Sequence, residues 1–134
     1  MAKQKRVLCV DDDADDQMIV LDTIKEIDKT IEVQTALNGK EALEILKKAK
    51  DAEGLPCLII MDINMPLMDG KQTLVQIKKD GDLDDVPVVM FTTSSSQLDV
   101  AFCEQYGVSF ITKPINMHDF HTTVQRLLSF CTDL

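Results

Sequence analysis

Val7-Leu8-Cys9-Val10 runs directly into Asp11-Asp12-Asp13, and Leu58-Ile59-Ile60-Met61 runs directly into Asp62. Both stretches are apolar throughout, the pattern of parallel strands covered on both faces. An apolar strand that stops at a carboxylate carries that carboxylate at its C-terminal end. In an open α/β sheet, ligands bind outside that end. Two such strands side by side would pool several acids in one crevice.

Outward from these two runs, the chain alternates strand and helix five times. Strands are expected over residues 6–10, 31–35, 57–61, 87–92 and 108–112. Between them lie helical stripes: Met18, Leu21, Ile24 and Ile27; Leu43, Leu46 and Ala49; Leu74 and Ile77; Val100, Phe102 and Cys103; and Met117, Phe120, Val124, Leu127, Leu128 and Cys131. Asn38 with Glu41 three residues on marks the start of the second helix, and a serine among residues 94–96 caps the fourth. Ile31-Glu32-Val33-Gln34-Thr35 alternates in polarity and so reads as an edge strand. With right-handed crossovers, this order gives a doubly wound, five-stranded parallel sheet, most simply 2-1-3-4-5. The crevice then falls between the first and third strands, the two that end in aspartate.

The 134 residues are expected to form one domain, 1–134, since no linker or repeat interrupts them. A net charge of −9 argues against nucleic-acid backbones and anionic membranes as partners. The apolar stretch at residues 55–61 is too short to span a bilayer, and the basic N-terminus lacks the apolar core of a secretory signal. The chain is expected to be cytoplasmic. Cys9, Cys57, Cys103 and Cys131 contain no CxxC pair, and in that compartment all four are expected as reduced thiols.

Three carboxylates, Asp11, Asp12 and Asp62, cannot share a crevice unaided. Two unit charges about 4 Å apart repel by roughly 4 kcal/mol at an effective dielectric of about 20. All-oxygen ligands in an open site suit a hard divalent cation, Mg²⁺ with Mn²⁺ possible. Lys113, closing the fifth strand before Pro114, supplies a second counter-charge, so three negative charges balance against Mg²⁺ and one ammonium. Thr92 ends the fourth strand with a hydroxyl that can donate to an anion. The set reads as a phosphoryl site on Asp62, since a carboxylate nucleophile can form an acyl phosphate. Asp13, Asp15 and Asp16 read as helix-capping acids, and His118 and His121 as surface residues. The 80–85 stretch reads as a solvated turn.

These residues resemble the receiver domains of two-component response regulators along essentially the whole chain, with a flavodoxin-like (βα)₅ fold. The carriers are Val10-Asp11-Asp12, Met61-Asp62-Ile63-Asn64-Met65-Pro66-Leu67-Met68-Asp69-Gly70, Phe91-Thr92-Thr93 and Thr112-Lys113-Pro114. The resemblance implies that Asp62 accepts phosphate from a phosphohistidine on a sensor histidine kinase or histidine phosphotransfer protein. It implies metal ligation by Asp12, Asp62 and the Asn64 carbonyl, with Asp11 acting through a metal-bound water. Lys113 would pair with Asp62 and then with the phosphoryl oxygens, Thr92 would bond the phosphoryl group, and Phe110 would be an aromatic switch. It also implies a cis Lys113–Pro114 bond. An unknown downstream protein would bind the face of the fourth helix, fifth strand and fifth helix, roughly residues 97–106, 108–112 and 115–127. Thr93 stands where relatives usually carry alanine or glycine, and its bulk is expected to slow water's approach to the phosphorylated Asp62.

The expected function is therefore a stand-alone phosphoacceptor switch without a DNA-binding output domain. It is no turnover enzyme, and catalyses only its own phosphorylation and autodephosphorylation. Two alternatives differ in class. A haloacid-dehalogenase-type phosphatase would use Asp11 of Asp11-Asp12-Asp13 as nucleophile, but Asp15 stands where that family has Thr or Val. A phosphate-independent adaptor would not need Asp62, Thr92 and Lys113 together.

Overall fold

The computed structural model describes residues 5–52, 54–94 and 96–131. Within them, β1 (Arg6–Val10), β2 (Glu32–Ala36), β3 (Leu58–Met61), β4 (Val88–Thr92) and β5 (Ser109–Thr112) form one parallel sheet in the order β2-β1-β3-β4-β5. This is the expected doubly wound order, with strand ends within a residue of the sequence reading. The connecting helices are α1 (Ala14–Ile27), α2 (Gly39–Asp51), α3 (Gly70–Lys79), α4 (Gln97–Gln105) and α5 (Phe120–Leu128), the last preceded by a 3₁₀ turn at Met117–Asp119. Among the described residues, no helix is long and apolar enough to cross a membrane.

Alternation along each strand builds two cores. Leu8, Val10, Ile59, Met61 and Met90 point to one face, where they meet Leu46 of α2, Leu74 and Ile77 of α3 and Cys103 of α4. Val7, Cys9, Leu58, Ile60, Val89 and Phe91 point to the other, against Val20 and Ile24 of α1 and Val124 and Leu127 of α5. The central strands β1, β3 and β4 are buried almost throughout, whereas β2 is exposed at Glu32 and Thr35, as an edge strand should be.

Helix starts are fixed by side chains that accept orphan amides. Asn38 accepts from the Glu41 amide at 2.9 Å, while Glu41 accepts from the Leu37 amide at 3.2 Å. Asp69 and Gln72 form a reciprocal capping box at α3, and Ser96 caps α4.

Three expectations are corrected. The buried face of α1 is Gln17, Val20, Thr23 and Ile24, and Met18 is exposed. The cause is Gln17, whose amide donates to the Asp11 and Ala36 carbonyls at 2.9 and 2.7 Å, tying the ends of β1 and β2 together and turning Met18 outward. Cys57 and Cys131 are not free thiols but a disulfide, with Cα atoms 4.8 Å apart. The expectation of reduced thiols came from compartment alone. The sheet brings the entrance of β3 and the exit of α5 together on the same face, which no spacing rule reveals. Cys9 and Cys103 are free and buried, and burial foremost pushes the Cys9 thiol up to about 12. Finally, there is no cis peptide bond among the described residues. The Lys113–Pro114 bond takes the trans form, which X–Pro bonds favour by about 0.5–1 kcal/mol.

Candidate functional site

The C-terminal ends of β1, β3, β4 and β5 converge on one crevice. Cys9 pairs with Ile60 and Val10 with Met61, so Asp11 and Asp62 leave adjacent strands at the same level. Each takes its first backbone bond across the sheet, Asp11 N–H to the Ala36 carbonyl and Asp62 N–H to the Val10 carbonyl. Asp11, Asp12 and Asp62 each offer a carboxylate oxygen within 4.8 Å of the others. Asp11 is buried, Asp62 half-buried and Asp12 exposed, which places Asp12 at the mouth.

Lys113 reaches this cluster from the end of β5. Its Nζ donates to Asp11 Oδ2 at 2.6 Å, Asp16 Oδ2 at 2.9 Å and Asp62 Oδ2 at 3.2 Å, with 6% of its side chain exposed. Burial alone would lower its pKa, but the bonds to Asp11 and Asp16 and the charges of Asp62 and Asp11 together outweigh it and hold the value above that of an ordinary lysine. Burial raises Asp11 above the usual carboxylate range, against the lowering pull of Lys113 and the Asp13 amide. The other Asp62 oxygen, Oδ1, accepts from the Ile63 amide at 2.7 Å.

Asp16 is the residue sequence reading missed. Asp13 does cap α1, accepting from the Asp15 and Asp16 amides, but Asp16 turns its carboxylate to Lys113. The pocket therefore holds four carboxylates against one ammonium, so the balance expected from three acids, a divalent cation and Lys113 is left with one negative charge in excess. No signal within the Asp13–Asp16 run distinguishes the residue that faces Lys113.

The loop that follows Asp62 is held backbone to backbone. The Gly70 amide donates to the Ile63 carbonyl at 2.7 Å, and the Gly39 amide to the Met68 carbonyl at 3.1 Å. A Cβ on Gly70 would stand 2.3 Å from the Asp62 carbonyl oxygen and 2.9 Å from Ile63 Cα. Leu67 takes φ +67°, a left-handed conformation uncommon for a bulky side chain, and is 84% exposed at the loop's crest. Asn64 is exposed next to Asp62, and Met65 is buried as packing.

Thr92 is buried at the end of β4, its carbonyl accepting from the Lys113 amide at 2.8 Å and its hydroxyl oxygen from the Ser94 amide at 3.2 Å. Thr93 beside it is exposed. Phe110 pairs in register with Met90 and packs half-buried against the α2–α3–α4 core. His118 and His121 are exposed and away from these contacts.

Oxygens sharing a metal at about 2.1 Å lie at most about 4.2 Å apart. Closing a 4.8 Å cluster of three carboxylates onto a small hard cation therefore needs only side-chain adjustment. The donor set fits a divalent ion of the magnesium or manganese type.

Residues 7–125 match the family model described as the response regulator receiver domain. The response regulator Rcp1 of Synechocystis sp. is 33% identical over 129 residues, covering 94% of this chain and 88% of that protein. Among solved structures, the phosphorylated cyanobacterial phytochrome response regulator RcpA superposes with a TM-score of 0.88 at 28% identity, covering 96% of this chain and 94% of the other. The Mn²⁺-bound form of Rcp1 superposes with a TM-score of 0.83 at 32% identity, covering 94% and 93%.

Proposed function

The chain belongs to the response regulator receiver domain family, a component of two-component signalling, and from that membership we propose that Asp62 is its phosphoacceptor. The observation that carries the proposal is the convergence of Asp11, Asp12 and Asp62 with Lys113 at the ends of adjacent parallel strands. One Asp62 oxygen attacks the phosphorus of a phosphohistidine. The P–N bond breaks, and the imidazole of a sensor kinase or phosphotransfer protein leaves. Asp11, Asp12, Asp62 and the Asn64 carbonyl would hold Mg²⁺ or Mn²⁺, whose positive charge offsets the oxygens of the transferring group. Lys113 keeps its charge, neutralises Asp62 before transfer and donates to the phosphoryl oxygens afterwards. Thr92 donates its hydroxyl proton to the same group.

Transfer replaces a single negative charge on Asp62 by about −1.5 to −2 and adds acceptor oxygens. Only a differential affinity of Thr92 and Lys113 for that group between two loop arrangements can shift the population. The readout is the face of α4, β5 and α5, with Phe110 as its steric element. Leu98, Ile115 and Met117 are exposed there, apolar surface suited to a protein partner. The chain acts as a cytoplasmic switch, catalysing only its own phosphorylation and autodephosphorylation.

Incubation with acetyl phosphate and Mg²⁺, followed by mapping of the labile adduct, tests this reading. The adduct is expected on Asp62 and absent in Asp62→Ala. An adduct on Asp11 would instead support the phosphatase reading, and no adduct at all would remove the phosphoacceptor assignment.

A further inference from the structure

Outside the acidic pocket, a second polar cluster joins α3, α4 and the β4–α4 connection. Lys71, the residue after Gly70, forms an ion pair with Asp99 Oδ1 in the first turn of α4. Asp99 Oδ2 accepts from the Ser94 hydroxyl at 2.5 Å. Ser94 in turn donates its amide to the Thr92 hydroxyl oxygen at 3.2 Å, and its own hydroxyl oxygen accepts from the Ser96 amide at 3.4 Å. Lys71 Nζ also lies 5.6 Å above the centre of the Phe102 ring. Asp99 is 8% exposed, so this is a buried carboxylate with both oxygens engaged.

The connections form a continuous chain along one side of the crevice. The Asp62 loop packs on Gly70, Gly70 leads into Lys71, Lys71 holds Asp99, Asp99 holds Ser94, and Ser94 holds Thr92. A hydroxyl has one proton and two acceptor lone pairs. With one lone pair occupied by the Ser94 amide, the Thr92 proton must point elsewhere, leaving it available to an anion on Asp62.

We propose that Lys71 and Asp99 are positioning residues, which act through Ser94 to fix the Thr92 hydroxyl as a donor to the phosphoryl group. The proposal rests on the receiver reading and deepens it. A loop already held in the productive arrangement spends less of the phosphoryl group's binding energy on ordering.

The test is titration with beryllofluoride in Mg²⁺, read by fluorine NMR, on the parent and on Ser94→Ala and Asp99→Ala, each with Thr92 intact and with Thr92→Val. With Thr92 present, each substitution is expected to weaken beryllofluoride binding about 5- to 30-fold, the usual worth of one or two such hydrogen bonds. In Thr92→Val the same substitutions should change affinity less than about twofold, because there is no hydroxyl left to position. Asp99→Asn, which still accepts from Ser94, should recover part of the loss. Mg²⁺ affinity measured alone should not move. Equal losses with and without the Thr92 hydroxyl, or no loss with it, would overturn the positioning role while leaving the receiver reading intact. Failure of the unsubstituted protein to bind beryllofluoride would overturn the receiver reading itself.

Discussion

Replacing Lys113 by methionine isolates the electrostatics of the pocket. The ammonium sits 2.6, 2.9 and 3.2 Å from three carboxylates and is almost sealed from water. Each contact is worth several kcal/mol in gross attraction at an effective dielectric of about 20, but desolvation cancels most of it. What remains is the cost of leaving buried carboxylates without their cation, about 3–5 kcal/mol. Urea unfolding in a chelator should therefore shift its midpoint down by about 1.5–2.5 M, at a slope of about 2 kcal/mol/M. Removal of the ammonium also takes the pocket's formal charge from −3 to −4, so a divalent cation should bind more tightly. An affinity gain of about tenfold would return about 1.4 kcal/mol at saturating Mg²⁺. The variant should thus be less stable than the parent without metal and more strongly rescued by it. A variant that unfolds at the parent's midpoint in chelator, or gains no more from Mg²⁺ than the parent, would refute the claim that Lys113 and the metal neutralise the same acids.

Gly70→Ala should lose about 1–3 kcal/mol of stability and slow acetyl phosphate labelling, because its Cβ would press on the Asp62 and Ile63 backbone; a variant matching the parent in both would exclude the close approach. Reduction of Cys57–Cys131, which spans 74 positions, should remove up to about 4.5 kcal/mol by loop-closure entropy. Melting with and without dithiothreitol checks this, and should show a drop on the order of 10 °C for a chain of this size. Asp99 is held below the ordinary carboxylate value of 3.8 by its bond from Lys71 and then by that from Ser94. Its contribution is present above that value and lost as pH falls through the lower folded one. The urea-midpoint gap between the parent and Asp99→Asn should be open at neutral pH and narrow below 3.8, and a gap constant down to pH 3 would contradict this. Thr93→Ala should dephosphorylate faster than the parent if the Thr93 side chain obstructs water; an equal or slower rate disproves that role.

Much of this fold is written in local pattern. The unbroken apolar runs of β1, β3 and β4, the alternation of β2 and the Asn38–Glu41 cap each follow from residues near in sequence. What escaped depends on pairs distant in sequence. Gln17 reaching the Ala36 carbonyl, Asp16 reaching Lys113, and Cys57 meeting Cys131 all require the sheet to exist first. Helical spacing favoured Met18 over Gln17, because hydrophobicity has no way to score a buried amide that satisfies two strand ends. The convergence of Asp11, Asp12, Asp62 and Lys113 was legible for the opposite reason. Each ends a strand, and strand ends are placed by topology alone.

The two walls of the crevice are made of different material. On the Asp62 side, Gly39 and Gly70 bring main chain against main chain, leaving no space that another side chain could fill. On the Thr92 side, the contacts pass through the tips of a serine, an aspartate and a lysine, none of which belongs to a strand. A lineage that needs a quicker or longer-lived signal can therefore retune the second wall by single substitutions, while the first stays fixed as the anvil against which every version works.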